Sequence, residues 1–199
     1  MKSLTKNLIL SDADGVLLDW EWAFSVWMQE RGFTFSEGHK KTYALHHWFN
    51  DLEPPEAKKL IIQFNESAAI GFLPAFRDSV FYVKRLYEEH GYRFRVITSL
   101  SLDQNAGRLR EMNLRKLFGD AIESVICLDT GADKDEALIP YYGSGLFWVE
   151  DKIENAELGL ELGLKSILVE HGHNMHHINP HLKVVKNWKD IYELVTSQK

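Results

Sequence analysis

Residues 7–19 carry the sequence Asn-Leu-Ile-Leu-Ser-Asp-Ala-Asp-Gly-Val-Leu-Leu-Asp. The apolar run Leu8-Ile9-Leu10 leads into two carboxylates one residue apart, Asp12 and Asp14, and then into Gly15. No structural need places two acids at the end of an apolar strand, and two like charges this close resist joint ionisation unless a cation holds them. The stretch predicts a parallel strand that ends in a divalent-metal site, with one acid left for chemistry.

Short apolar runs alternate with helical patterns along the rest of the chain, which is typical of a parallel sheet covered by helices on both faces. Strands are predicted at residues 8–11, 94–98, 124–128, 146–149 and 166–169. Helices are predicted at residues 79–90, 103–118, 135–142, 154–162 and 188–196. The predicted fold class is α/β, a Rossmann-like parallel sheet of about five strands.

The first strand does not pass directly to its crossover helix, because residues 20–76 intervene. This segment has helical periodicity at residues 20–31, 37–49 and 55–69. We interpret residues 20–76 as a small helical cap inserted after the first strand, and residues 1–19 and 77–199 as the α/β core.

The predicted first helix of the cap is unusually aromatic. Trp20, Phe24 and Trp27 share one helix face by their spacing. Two interpretations stay open: the rings build the core of a small cap that needs large side chains, or one or two of them line the site and stack on a planar substrate group.

Composition limits the classes of partner. The 23 Lys and Arg against 29 Asp and Glu give a formal net charge of −6, which disfavours binding of duplex nucleic acid through its phosphates. Cys127 is the only cysteine, so no internal disulfide can form and a reducing compartment fits. Asp12 interrupts the apolar run at residues 8–10 too soon for a signal segment or a membrane span. We therefore expect a cytoplasmic protein with no membrane association.

Four motifs in chain order resemble those of haloacid dehalogenase superfamily phosphatases, and the likeness runs nearly end to end. Each motif alone is weak, but four in order at predicted strand ends are specific. They are Asp12-Ala13-Asp14-Gly15, Val96-Ile97-Thr98-Ser99, Lys134, and Val149-Glu150-Asp151.

The resemblance implies a magnesium-dependent phosphatase. Asp12 is then the nucleophile that forms an aspartyl-phosphate, and Asp14 protonates the leaving group and later takes a proton from the attacking water. Superfamily members that cleave carbon–halogen bonds lack the second aspartate, so Asp14 favours a phosphatase over a dehalogenase.

The resemblance also implies which residues bind phosphate and metal. Thr98, Ser99 and Lys134 are expected to bind the substrate phosphate. Glu150 stands where relatives carry aspartate, and whether it touches the ion directly or through water stays open. The implied Mg²⁺ ligands are Asp12, Asp14 through its backbone carbonyl, Asp151 and Glu150.

Each of these residues has a structural alternative. Thr98 can cap the helix that follows it, and Lys134 can be a solvated surface charge. The pair Glu150-Asp151 can favour the start of the next helix through the helix dipole.

Short segments are similar to the 5′(3′)-deoxyribonucleotidase group. They are Asp12-Ala13-Asp14-Gly15-Val16-Leu17 with Asp19 beyond, Leu73-Pro74-Ala75-Phe76, and residues 185–191. The substrate implied is a small phosphate ester, with a nucleoside monophosphate as the first candidate. A sugar-phosphate phosphatase, a polynucleotide-end phosphatase and a non-catalytic phosphate-binding regulatory protein stay open.

Arg77 can reach a substrate phosphate or form a surface salt bridge.

Residues 170–181 hold five of the nine histidines. The spacing is not that of a regular helix face, so we favour a mobile loop over a zinc or nickel site. The loop follows the last predicted strand, where His171 or His173 could contact substrate.

Overall fold

The computed structural model describes residues 7–37, 42, 44–176 and 179–197, without the side chain of Arg77, and all structural statements concern these residues. The strands are β1 (Leu8–Ser11), β2 (Arg93–Ser99), β3 (Ile122–Leu128), β4 (Phe147–Glu150), β5 (Lys165–Val169) and β6 (Lys183–Val185). The helices are α1 (Trp20–Gln29), α2 (Pro54–Asn65), α3 (Arg77–His90), α4 (Gln104–Phe118), α5 (Asp135–Leu138), α6 (Ile153–Glu161) and α7 (Trp188–Thr196).

All six strands form one parallel sheet in the order β3-β2-β1-β4-β5-β6. Every residue of β1 and of β4 is buried, as expected for strands covered on both faces. The predicted α/β, Rossmann-like class is confirmed. The sheet has six strands rather than about five, because the short β6 gave no clear sequence signal.

The strand order reverses beside β1, which pairs with β2 on one side and with β4 on the other. In open α/β sheets such a switch point leaves a crevice at the carboxyl ends of the strands, and ligands bind there. The first motif follows β1, the second ends β2 and the fourth ends β4. The topology therefore brings three of the four motifs to one crevice.

The helical insertion, residues 20–76, contains α1, α2 and two 3-10 turns at Leu45–His47 and Ala68–Phe72. Glu53 precedes two prolines that begin α2, a favourable position because the first helical N–H groups have no intrahelical partner. The helix predicted at residues 37–49 is wrong over its described part. There a short turn leads to Phe49, which bridges antiparallel to Phe35.

Two buried tryptophans form hydrogen bonds that stabilise segments next to the motif loops. The Trp188 indole donates to the carbonyl of Val16 at 2.8 Å, which ties α7 to the loop after β1. The Trp148 indole donates to the carbonyl of Asn155 at 3.0 Å, which ties β4 to α6. These contacts brace two of the loops that carry motif residues.

Within the described ranges, no helix combines the length and the apolar character that crossing a membrane requires.

Candidate active site

A cavity of about 490 Å³ lies between the carboxyl edge of the sheet and the helical insertion. Its size falls within the range of cavities that take small-molecule ligands. All the motif residues identified from the sequence line it: Asp12, Asp14, Thr98, Ser99, Lys134, Glu150 and Asp151. The structure thus brings the four motifs together at one site.

Lys134 is the centre of a buried ion-pair cluster. Its Nζ lies 2.7 Å from Asp12 Oδ2 and 2.7 Å from Glu150 Oε2, with only 2% of its side chain exposed. Glu150 also accepts from the backbone N–H groups of Asp151 and Lys152, so both of its oxygens have partners. Lys134 is therefore not a solvated surface charge, because one ammonium joins the end of β1 to the end of β4.

The pKa values of the cluster reflect burial first. Burial raises the pKa of the Asp12 carboxyl to about 7, although the Lys134 ammonium opposes the rise. Burial also raises the pKa of Asp151 to about 7, and the charge of Asp12 adds to the effect. Burial alone would lower the pKa of Lys134, but Asp12 and Glu150 raise it above its ordinary value. For Asp12 and Asp151, the positive charge of Lys134 therefore does not offset the effect of burial on the carboxyl pKa.

Gly15 allows the Asp151 carboxylate to approach the loop after β1. Its φ of +75° lies in the left-handed region, and a Cβ at this position would lie 2.3 Å from Asp151 Oδ2. Any side chain here would collide with the carboxylate as well as strain the backbone. The glycine of the first motif therefore sets the distance between the ends of β1 and β4.

Asp12, Glu150 and Asp151 can hold a metal ion together, since one carboxylate oxygen from each lies within 4.8 Å of the others. An all-oxygen donor set suits a hard cation such as Mg²⁺. A dication would also supply the positive charge that the two raised carboxyl pKa values indicate is lacking. The residues present fit the predicted cofactor.

Thr98 is the second-last residue of β2, lines the cavity and has a buried hydroxyl. Its Oγ1 has no hydrogen-bond partner among the described residues, which is rare for a buried hydroxyl. The interpretation of Thr98 as a helix cap does not fit, because Asp103 caps α4 by accepting from the Ala106 N–H at 2.8 Å. Ser99 also lines the cavity, and its hydroxyl donates to the carbonyl of Ala132 at 2.7 Å.

Asp14 is held by a residue that belongs to none of the four motifs. The guanidinium of Arg110 binds both carboxylate oxygens of Asp14, and the Nη2–Oδ2 distance is 3.0 Å. Arg110 belongs to the buried face of α4, together with Ala106, Asn113 and Leu114. The sequence did contain a signal for Arg110, because it is a charged residue at the spacing of the buried residues in the helix predicted at 103–118.

The described part of the histidine-rich segment contacts the loops that follow β1 and β4. His171 Nε2 lies 2.6 Å from the carbonyl of Gly15, and the Asn174 side-chain amide donates to the carbonyls of Asp151 and Val169 at 2.7 and 2.8 Å. His173 stacks on His171 with ring centroids 5.6 Å apart. Neither histidine lines the cavity. Residues 177 and 178 lie outside the described ranges.

The three aromatic residues singled out in α1 have different positions. Trp20 lines the cavity, and its indole donates to Asn65 Oδ1 at 2.9 Å. Phe24 is fully buried between Trp20, Trp27 and Phe64, and neither Phe24 nor Trp27 lines the cavity. The structure therefore brings Trp20 alone of the three to the site. The side chain of Arg77 lies outside the described part of the chain.

Comparison with known proteins gives one curated relative and several solved structures. No family model matches the sequence. An uncharacterised 32.4 kDa protein of Enterobacteria phage T4 is 28% identical over 136 residues, which cover 66% of this chain and 48% of that protein. The chain thus spans about half the length of this curated relative.

The chain has the haloacid dehalogenase-like fold. A haloacid dehalogenase-like hydrolase from Streptococcus pneumoniae superposes with a TM-score of 0.66 at 12% identity, over 95% of this chain and 98% of that one. A hydrolase of the same description from Xanthomonas campestris gives a TM-score of 0.60 at 12% identity, over 96% and 95%. An L-2-haloacid dehalogenase gives 0.56 at 12% identity, over 95% and 99%. At this identity the likeness establishes the fold, and the site residues must carry the argument on function.

Proposed function

We propose that this protein is a magnesium-dependent phosphomonoesterase acting on a small phosphorylated metabolite. One observation carries the proposal: a lysine paired with carboxylates, a threonine with an unpartnered hydroxyl and a group of acidic residues all line one cavity at the switch point of the sheet. Hydrolysis of a phosphate ester needs a nucleophile, a proton donor and positive charge around the transferring group. This set of side chains can supply all three.

In this proposal Asp12 is the nucleophile. Its carboxylate attacks phosphorus while the bond from phosphorus to the leaving oxygen breaks, which gives an aspartyl-phosphate that water then hydrolyses. Lys134 holds Asp12 through its 2.7 Å ion pair and neutralises charge on the transferring group. Asp14 gives a proton to the leaving oxygen and then takes one from the attacking water, so it ends the cycle as it began.

The proposed phosphate-binding groups are Thr98, Ser99 and Lys134. The buried, unpartnered hydroxyl of Thr98 is the strongest support among the described residues, because a phosphoryl oxygen would supply the acceptor that it lacks. Ser99 has a backbone acceptor, so its hydroxyl would have to turn or share that bond to contact substrate.

Asp12 and Asp151 are the proposed side-chain ligands of Mg²⁺, with the backbone carbonyl of Asp14 as a third protein ligand. When bound, the ion would offset the negative charge of the carboxylates and of the substrate phosphate. The Glu150 side chain is only 1% exposed, against 11% for Asp12 and 13% for Asp151, and its oxygens accept from Lys134 and from two backbone N–H groups. We therefore assign it to the second layer of contacts, where it orients Lys134 and Asp151.

We propose that the helical insertion acts as a cap over the site, and the residues of its wall support the proposed substrate class. Trp20, Leu45, Ala57 and Ile61 give this wall an apolar surface, with Lys58 beside them. A nucleoside monophosphate is the first candidate, since its base can stack on Trp20 and its phosphate can reach the ion-pair cluster. A sugar phosphate or a polynucleotide 5′ or 3′ end is the alternative, and the net charge disfavours duplex nucleic acid.

The test is a phosphate-release screen over deoxynucleotides, ribonucleotides, sugar phosphates and an aryl phosphate, with Mg²⁺ or with EDTA. We expect release that EDTA abolishes and that Asp12→Asn lowers below detection. Asp133→Asn is the matched control, since Asp133 is exposed and does not line the cavity. Chloride release from a 2-haloacid is measured in parallel.

Full activity of Asp12→Asn would eliminate the proposed nucleophile. Chloride release in place of phosphate release would make the protein a dehalogenase. Silence across the whole panel, with inorganic phosphate still binding, would favour a non-catalytic regulatory protein with the same fold.

A further inference from the structure

Arg110 is the most deeply buried charge that the proposed mechanism does not use. Its side chain is 0% exposed, and its guanidinium binds both oxygens of Asp14. Its Nε has no hydrogen-bond partner among the described residues. Within that part of the chain, the polar contacts of this arginine serve a single carboxylate.

Stability alone gives no reason for this ion pair. A buried charge loses its hydration, and replacing a buried pair by apolar side chains of similar volume is often neutral or stabilising. Ala106 and Leu114 on the same face of α4 show that the position accepts apolar neighbours. The arginine therefore needs an explanation beyond packing.

The geometry of the pair supplies that explanation. Arg110 projects from α4, a core helix whose start is fixed by the Asp103 cap, whereas Asp14 lies in the loop after β1. A planar guanidinium that meets both oxygens sets the direction of the carboxylate and the rotation of its plane. The Asp14 side chain nevertheless stays 25% exposed and lines the cavity.

The pair also leaves Asp14 able to react. Each carboxylate oxygen can accept two hydrogen bonds, and a bidentate guanidinium uses one on each. One position therefore remains on each oxygen for the proton that passes to the leaving oxygen and is later taken from the attacking water.

We propose that Arg110 is a positioning residue for Asp14. It holds the carboxylate at the cavity wall so that a proton reaches the leaving oxygen while the phosphorus–oxygen bond breaks. This inference rests on the proposed phosphatase function. It predicts that losing Arg110 matters most where the leaving group needs a proton.

The test compares two substrates of wild-type protein and of Arg110→Met. An aryl phosphate with a good leaving group, 4-nitrophenyl phosphate, needs little protonation, while a nucleoside 5′-monophosphate has an alkoxide leaving group. We expect kcat for the nucleotide to fall about 10- to 100-fold with KM nearly unchanged, and kcat for the aryl ester to fall less than about 3-fold. Arg110→Lys, which offers a single ammonium nitrogen in place of the two-nitrogen fork, is expected to restore part of the nucleotide rate.

Two further variants separate positioning from general damage. The double variant Asp14→Asn with Arg110→Met is expected to be no slower on the nucleotide than Asp14→Asn alone, because Arg110 acts through Asp14. Arg115→Met is the matched control, since Arg115 is an exposed arginine on the same helix that pairs with Glu111. It is expected to match the wild type on both substrates.

Equal losses on both substrates would overturn the inference, and so would a double variant much slower than Asp14→Asn. If Arg110→Met does not fold, Arg110→Lys is judged by the same two criteria. A wild-type protein with no magnesium-dependent phosphate release would overturn the proposed function and this inference together, whereas turnover with uniform losses would overturn this inference alone.

Discussion

The carboxyl edge of the sheet and the helical insertion at residues 20–76 form opposite walls of one cavity, but they are built in different ways. At the sheet edge, buried charges hold one another, as the contacts of Lys134 with Asp12 and Glu150 show. In the insertion, most large side chains pack against each other, as Phe24 does among its aromatic neighbours. In the proposed function, the strand ends position the reacting groups, and selectivity depends on the few insertion residues that line the cavity.

After the loss of activity expected for Asp12→Asn, the next largest expected effect tests the charged wall. Lys134→Met leaves two buried carboxylates facing each other without a counter-charge, so we expect kcat for phosphate release to fall about 100- to 1,000-fold. Lys152→Met is the matched control because Lys152 also lines the cavity but is not part of the buried cluster. Steady-state kinetics on one nucleotide would measure both variants, with circular dichroism to check folding. Similar activity of the two variants would remove Lys134 from the mechanism.

The same contrast decides what the sequence could reveal. Strands β1 to β5 were predicted to within two residues because each is a buried apolar run. The motif residues were found because parallel strands end at one edge, so chain order predicts proximity. The structure brings Lys134, in the loop after β3, to the same cavity, although its 2.7 Å contacts with Asp12 and Glu150 could not be read from its acidic neighbours in the sequence.

What the sequence did not reveal depends on contacts between distant segments. Arg110 and Asp14 are 96 residues apart, and Asn174 reaches the carbonyl of Asp151 from a loop that composition alone suggested was mobile. The structure of the insertion was harder to predict, because the periodicity at residues 37–49 is typical of a helix, whereas the described residues there form a turn. Periodicity reports which residues are apolar, but not whether they face a neighbour or a cavity.

The second prediction tests how closely the two strand ends must approach. Gly15→Ala combines a left-handed φ with a collision at the Asp151 carboxylate, so we expect Mg²⁺ affinity to fall about 10- to 100-fold. Gly131→Ala is the matched control, since its φ of +73° is similar but no atom lies within 4 Å of its Cβ position. Calorimetric titration with Mg²⁺ would measure both. Equal losses of affinity would attribute the effect to backbone strain alone.

The third prediction tests the opposite wall. Trp20→Leu removes a ring that lines the cavity, so we expect KM for a nucleotide to rise about tenfold with kcat nearly unchanged. Trp27→Leu, in the same helix but away from the cavity, is expected to leave KM unchanged. Trp20→Phe keeps a ring but loses the hydrogen bond to Asn65, which separates stacking from anchoring. A KM that responds equally to Trp20→Leu and Trp27→Leu would contradict the assignment of Trp20 to substrate.

The smallest effect concerns pH and the metal. Burial raises the pKa of Asp12 and of Asp151 to about 7 in the folded, metal-free protein. Between their unfolded values near 4 and this value, the folded state binds more protons than the unfolded state. These two groups therefore stabilise the fold most at low pH, and their contribution is lost as the pH rises towards 7.

Magnesium should reverse that loss, because it binds the ionised carboxylates and their protons must leave first. We expect saturating Mg²⁺ to raise Tm by about 5 °C at pH 8 and by less than about 1 °C at pH 5.5. Thermal unfolding with matched ionic strength would measure the difference, and Asp151→Asn should weaken it at pH 8. A Tm increment that does not change with pH would mean that these carboxyls are not the ligands, and the buried charge at the sheet edge would then serve the fold alone.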